Sequence, residues 1–333
     1  MNIKSLLLGS AAALAVVSGA QAADAVVAAE PEPMEYVKVC DAYGTGYFYI
    51  PGTETCLKIG GQLRYEMILT NGPGRPGNSF THHSRANLEI DAKNDSEWGT
   101  VYSWIRYQGD QNDSGARGTN FFYIFGIGGL EFSNFDSQWA KFFGYGGFTD
   151  NGGNYNDDWN GRAPQYISYT ADFGSVKAYV ALENNLDKYK TPARLGNKYM
   201  PDVDAGISGT FGDWQVAGGV GYDEADESFA LKGLVAGNFG MFGVRVMPLY
   251  SDSRFNNYFA YNGFSAILGV QAKVTDTVTL ANDLQFYDNG DWQNIANVNW
   301  QVASGFSVLL EGIYADRFNT KTKSGMLRFQ RSF

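Results

Sequence analysis

The chain ends on "GMLRFQRSF" (325–333), nine residues with a regular alternation of side-chain character. Leu327, Phe329 and Phe333 share one parity, while Met326, Arg328, Gln330 and Ser332 share the other. A period of two is that of side chains on a β-strand. Chain ends are usually polar and frayed. This one closes on an aromatic residue in a chain with a formal net charge of −10. The apolar face of such a strand needs apolar surroundings, and Phe329 and Phe333 are placed there, facing lipid. Arg331 departs from the pattern near the strand end, where a long cation can reach headgroups.

The same alternation recurs upstream. In "CLKIGGQLRYEM" (56–67), Leu57, Ile59, Leu63, Tyr65 and Met67 oppose Lys58, Gln62, Arg64 and Glu66. In "RANLEIDAK" (85–93), Ala86, Leu88, Ile90 and Ala92 oppose Arg85, Asn87, Glu89, Asp91 and Lys93. Further strand-like segments are 100–108, 120–127, 130–135, 162–170, 175–183, 202–210 and 214–222, then 229–239, 241–250, 263–274, 277–287, 293–302, 306–314 and 324–333. With the first two they number sixteen, and most have the roughly nine to eleven residues of a tilted strand crossing a bilayer.

The connections alternate in length. Short ones such as "ADFG" (171–174) and "ASG" (303–305) carry turn residues. Long polar ones at 68–84, 109–119, 136–161, 184–201, 251–262 and 315–323 separate them, with shorter ones at 223–228 and 288–292. Short turns at one end and long loops at the other mark an outer-membrane barrel. The expected fold class is all-β: a transmembrane antiparallel β-barrel of sixteen strands, with short periplasmic turns and long extracellular loops.

The beginning of the chain fits export. Lys4, the apolar run "SLLLGSAAALAVVSG" and "AQA" at 20–22 form a secretory signal peptide over 1–22. No later stretch approaches the roughly 20 apolar residues of a membrane helix. Residues 23–55 are read as a periplasmic leader and 56–333 as the barrel. Cys40 and Cys56 are the only two cysteines. An oxidising compartment favours a disulfide closing a small hairpin around Pro51-Gly52. A metal site is the competing reading, but the spacing is not CxxC and the two histidines, His82 and His83, lie downstream. No metal or cofactor is expected.

Aromatic residues make up 15% of the chain and 41 residues are Gly, a mix that excludes disorder and suits strands and turns. Enzyme signatures are absent: there is no G-x-S-x-G, no P-loop and no H-E-x-x-H. The acidic balance offers nothing to nucleic acid.

"EYVKVCDAYGTGYFYIPGTETCLKIGG" (35–61) resembles the N-terminal signature of the alphaproteobacterial (Rhizobiales-type) outer-membrane porins. The start "MNIKSLLLGSAAALAVVSGAQAADAVVA", the patch "YMPDV" (199–203) and the ending "RFQRSF" (328–333) resemble theirs too. The resemblance implies a sixteen-stranded, homotrimeric general-diffusion pore whose third long loop folds inward. It also implies that the terminal aromatic belongs to the signal read by the barrel-assembly machinery. Partners are then outer-membrane lipid and lipopolysaccharide, with small hydrophilic solutes as cargo.

A barrel of this size encloses water, so function rests on pore width and lining charge. Alternation places Arg64, Arg85 and Arg106 on the polar faces of three adjacent strands. An Arg facing lipid at the midplane costs roughly 2–4 kcal/mol, which favours the lumen. The loop 136–161, "DSQWAKFFGYGGFTDNGGNYNDDWNG", carries Asp136, Asp150, Asp157 and Asp158 against one Lys141. Its Trp139, Phe142, Phe143 and Phe148 can anchor it on the inner wall. The expected site is a constriction between these carboxylates and the three arginines. Two other readings stand beside it: a substrate-specific channel, and a receptor or adhesin barrel with an occluded lumen.

Overall fold

The computed structural model describes residues 38–71, 79–113, 115, 117–144, 146–149, 164–184 and 200–333. The expected signal peptide and the leader up to 37 lie outside the described residues. The elements are β1 (Phe48–Tyr49), β2 (Cys56–Asn71), β3 (Ser79–Asn94), β4 (Val101–Asn112), β5 (Arg117–Ile127), β6 (Leu130–Ser133) and helix α1 (Gln138–Phe143). There follow β7 (Tyr166–Asp172), β8 (Val176–Glu183), β9 (Asp202–Phe211), β10 (Trp214–Asp223), β11 (Ser228–Phe239) and β12 (Phe242–Ser253). The last are β13 (Tyr261–Lys273), β14 (Val278–Tyr287), β15 (Trp292–Ala303), β16 (Phe306–Arg317) and β17 (Thr320–Ser332).

Each strand from β2 to β17 pairs antiparallel with the next, and β17 pairs with β2, so sixteen strands close into a barrel. The closing seam runs from Lys323↔Asn71 to Ser332↔Gln62. Phe333 continues it by exchanging two backbone hydrogen bonds with Gly61, of 3.0 and 3.1 Å. Closure pairs the first and last strands of the wall with each other, as backbone N–H and C=O groups in lipid require.

Alternation assigns the two faces as expected. Ile59, Leu63, Tyr65 and Leu69 of β2 are exposed outward, whereas Glu66 is buried and Arg64 faces inward. On β17, Met326 and Arg328 are buried, and Phe333 just beyond it is exposed. Outward aromatics gather at both ends: Phe211, Trp214, Phe239, Phe242 and Trp300 near the short turns, and Phe229, Tyr250, Phe264, Phe286 and Trp292 near the other end. These are the two girdles of a membrane-spanning barrel.

The short turns are built on glycine where the backbone requires it. Gly128 has φ +56, and a Cβ there would stand 2.7 Å from Trp98 O. One connection corrects the sequence reading. The stretch 315–323, expected as a long loop, is strand on both sides of the two-residue turn Phe318-Asn319, with φ 54° and 56°. This is the left-handed pair that suits a tight hairpin. Asp291 of the neighbouring connection supports it by accepting from Phe318 N at 3.2 Å. Strands here continue past the apolar band, so polar residues such as Lys321 and Lys323 are paired rather than looped. The same extension shortens the connections expected at 109–119 and 251–262.

Before the barrel, Cys40 and Cys56 form a disulfide with Cα atoms 5.9 Å apart, which decides against the metal reading. The hairpin between them turns at Pro51-Gly52 and pairs β1 with the start of β2. Tyr47 is buried beside the disulfide, under the ammonium groups of Lys58 and Lys93. Tyr43 donates to Asp95 Oδ1 at 2.7 Å and ties the hairpin to the β3–β4 turn. Desolvation and then the Asp95 carboxylate push the Tyr43 phenol up to about 12.

Two predictions follow from this geometry. A Cβ at Gly61 would lie 2.5 Å from Asn87 O and 2.6 Å from the Phe333 ring. Gly61→Val therefore lowers the temperature at which the folded barrel loses its heat-modifiable mobility on gels. Gly312→Ala, with nothing within 4 Å, leaves it unchanged. The Tyr43–Asp95 tie favours the neutral phenol, so it is intact below the ordinary phenol value of 10.0 and lost as pH rises through about 12. Proteolysis of the hairpin should quicken across that window in the native chain, and the step should be absent in Tyr43→Phe.

Candidate functional site

The inner wall divides into two kinds of surface. On β17, β2, β3 and β4 it is charged. Arg64 and Arg85 are directly opposed across β2 and β3, a like-charge pair that is unfavourable alone. Carboxylates offset it. Glu66 accepts from Arg328 Nε at 2.6 Å and lies 3.7 Å from Arg64 Nη1. Asp110 accepts from Arg85 Nε at 2.6 Å and from Gln108 Nε2 at 2.7 Å. The His83 ring joins the two acids, with Nδ1 2.7 Å from Glu66 and Nε2 3.1 Å from Asp110. Cations and carboxylates thus alternate over four strands.

Arg106 sits apart from the other two arginines. It is cross-strand to Glu89, which it meets at 2.8 Å, four residues below the Arg85–Asp110 level. Its guanidinium stacks 4.8 Å from the rings of both Trp104 and Phe135. The side chains of Arg64, Arg85 and Arg106 are 15%, 30% and 21% exposed, so water in the lumen reaches all three.

On β8 to β15 the inner wall is covered from within. After β6, only four residues long, the chain leaves the wall through a bend in which Asp136 has φ 42°. It then forms α1, where Ala140 and Lys141 donate to Ser137 O. Trp139, Ala140 and Phe143 are buried, packed with inward side chains that include Tyr179, Leu234, Met247 and Ile267. Glycines make the room: a Cβ at Gly206 or Gly219 would stand 2.8 or 2.4 Å from Phe143 Cζ. Lys232 caps the helix side by donating to Trp139 O at 3.2 Å, its ammonium over the Trp139 and Phe143 rings.

Residues 146–149 continue across to β12 and β14. Asp283 accepts from Phe148 N at 3.1 Å and from Thr149 N and Oγ1 at 2.6 Å each. Arg245 donates to Gly147 O at 3.2 Å and lies over the Phe148 ring. The connection at 254–260 also turns inward: Phe259 is fully buried, and Asn257 donates to Asp202 and Asp223.

Of the sequence-predicted residues, Arg64 and Arg85 are brought together and Arg106 is offset. Asp136 is 4% exposed, so its carboxylate is not open to lumenal water. Asp150, Asp157 and Asp158 lie outside the described residues. Glu66, Glu89 and Arg328 were read on lumenal or polar faces but not named as site residues, and His83 was missed because it fell in the expected loop 68–84. Asp110 was hidden because its residue fell in an expected loop.

Each hydrogen bond to the Asp283 carboxylate contributes about 1.5–3 kcal/mol. Asp283→Ala should therefore speed limited proteolysis within 144–149 of the folded barrel by roughly tenfold or more. Asp276→Ala, at a fully exposed turn, should not.

Comparison with known proteins agrees with this architecture. A family model described as the porin subfamily matches residues 24–330. Porin Omp2b of Brucella neotomae is 37% identical over the whole of both chains, as is that of Brucella suis. Among solved structures, a loop deletion mutant of OmpT, an outer membrane protein of Vibrio cholerae, superposes with a TM-score of 0.59 at 14% identity, covering 84% of this chain and all of that one. A mutant of the Rh. blastica porin gives 0.56 at 14% identity, covering 83% and 100%.

Proposed function

The chain belongs to the porin subfamily and is an outer-membrane channel; from that premise we propose how its lumen sorts solutes, as a trimer of identical pores, each with a charged constriction. The loop that begins at Asp136 narrows each pore from inside. One side of the narrowing is the Arg64–Arg85 pair, with Arg106 lower down. The other carries the loop acids Asp150, Asp157 and Asp158, with buried Asp136 holding the bend. The single observation that carries this reading is the docking of residues 138–144 and 146–149 on inward side chains of the far wall, Lys232, Arg245 and Asp283 above all.

Opposed charges across a water-filled gap make a transverse field. Dipolar solutes align in it, and apolar ones displace the water that solvates the charged walls without replacing its interactions. Because Glu66, Glu89 and Asp110 neutralise much of the arginine charge locally, selectivity between small ions is weak and easily tilted. A channel needs no catalytic residue, and enzymatic activity has no place in this reading.

The test is the reversal potential of the refolded mature chain under a salt gradient. Arg85→Glu and Arg64→Glu each change the wall by two charges; Arg85→Glu also takes from Asp110 its guanidinium, whereas Glu66 keeps Arg328 in Arg64→Glu. Both should shift selectivity toward cations, Arg85→Glu more, since Asp110 loses its nearest partner. Reversal potentials unchanged from the native chain in both variants would contradict the constriction.

A further inference from the structure

Beneath α1, at the periplasmic end of the lumen, lies a recess of about 720 Å³. We infer that it is a binding site for neutral polyhydroxylated solutes, saccharides of one or two rings, built into the passage. The inference rests on the porin reading and names a solute class for it. The recess exists because β6 is short: the chain departs after Ser133, and α1 bridges inward instead of extending the wall. Its volume is within the roughly 300–1,000 Å³ of small-molecule pockets.

Its charged groups are already engaged with one another. Glu131 accepts from Tyr102, Gln138, Lys141 and Tyr166, so one carboxylate is surrounded by four donors. Lys177 pairs with Asp172 at 2.9 Å at the rim. An ion entering the recess finds no unpaired charge of either sign, and would have to break one of these pairs to gain a partner.

The hydroxyls and the amide differ. Among the described residues, the side chains of Thr170, Ser175, Ser208, Thr210 and Gln215 make no hydrogen bond to protein, and all line the recess. They can both donate and accept, which matches a vicinal diol and wastes half its capacity on a carboxylate or an ammonium. Phe142 of α1 adds an aromatic surface, held in place by a tilted ring contact with Tyr179, centroids 4.4 Å apart. A sugar ring has this same pairing of a hydroxyl edge with an apolar C–H face. Solute hydroxyls replace the lining's water with comparable hydrogen bonds, so entry costs little and residence is brief.

The experiment is single-channel recording of the full mature chain with maltose as probe and glycine as the zwitterionic comparison. Maltose should block the open current in a concentration-dependent way. The triple variant Ser208→Ala, Thr210→Val, Gln215→Leu should raise the half-blocking concentration about tenfold or more, since three hydrogen-bonding groups are lost. Ion conductance without sugar should stay unchanged. Thr210→Val alone, with a smaller rise, serves if the triple variant fails to fold. Absence of block by maltose in a conducting channel, block equal in the variants, or stronger block by glycine would overturn the inference and leave the porin reading standing. A folded barrel that passes no ions would overturn the porin reading itself.

Discussion

In a bilayer no water is present to satisfy a backbone N–H or C=O, so every strand must have a partner on both sides. That constraint is met at one place, where the last strand returns to the first. Ten residues of β17 pair with β2, and Phe333 completes the seam against Gly61. Once the seam is fixed, the parity of every other strand is fixed with it. A slip by one residue would turn Arg64, Glu66 and Arg328 into lipid and Leu63, Tyr65 and Phe329 into the lumen. The terminal aromatic residue is part of this closure, its ring lying where Gly61 has no side chain.

The interior follows from a second constraint. A barrel of sixteen strands is too wide for its own side chains to fill. Two connections therefore fold inward and cover the inner face of β8 to β15 with aromatic packing, through Trp139 and Phe143 of α1 and Phe259 of 254–260. The opposite face keeps its charges in water. The passage is thus asymmetric: a packed, rigid half and a wet, charged half, with the short β6 and the recess under α1 between them.

Strand existence was legible because lipid enforces a period of two, and the short turns carry glycine where φ must be positive. The hairpin and the disulfide were legible from two cysteines in an exported chain. Less legible was everything that depends on where a strand stops. The polar tail of β16 and head of β17 looks like a loop, since beyond the membrane a paired strand has no reason to be apolar. Asp110 was lost to the wall for the same reason. The helix α1 was unreadable as a helix: six residues are too few for a periodic signal, and it is held by tertiary contacts such as Phe143 against Gly206 and Gly219. Its aromatic residues nevertheless announced an inward-facing loop, because Trp and Phe at that density have no place in an external one.

If the sixteen-stranded wall with its inward-docked loop leaves an open aqueous path, single-channel recording of the refolded, heat-modifiable chain in a planar bilayer will show stable, ohmic steps that scale with bulk salt conductivity. A correctly folded barrel that inserts and carries no current would contradict it, and would mean that the packed half of the interior extends across the whole lumen.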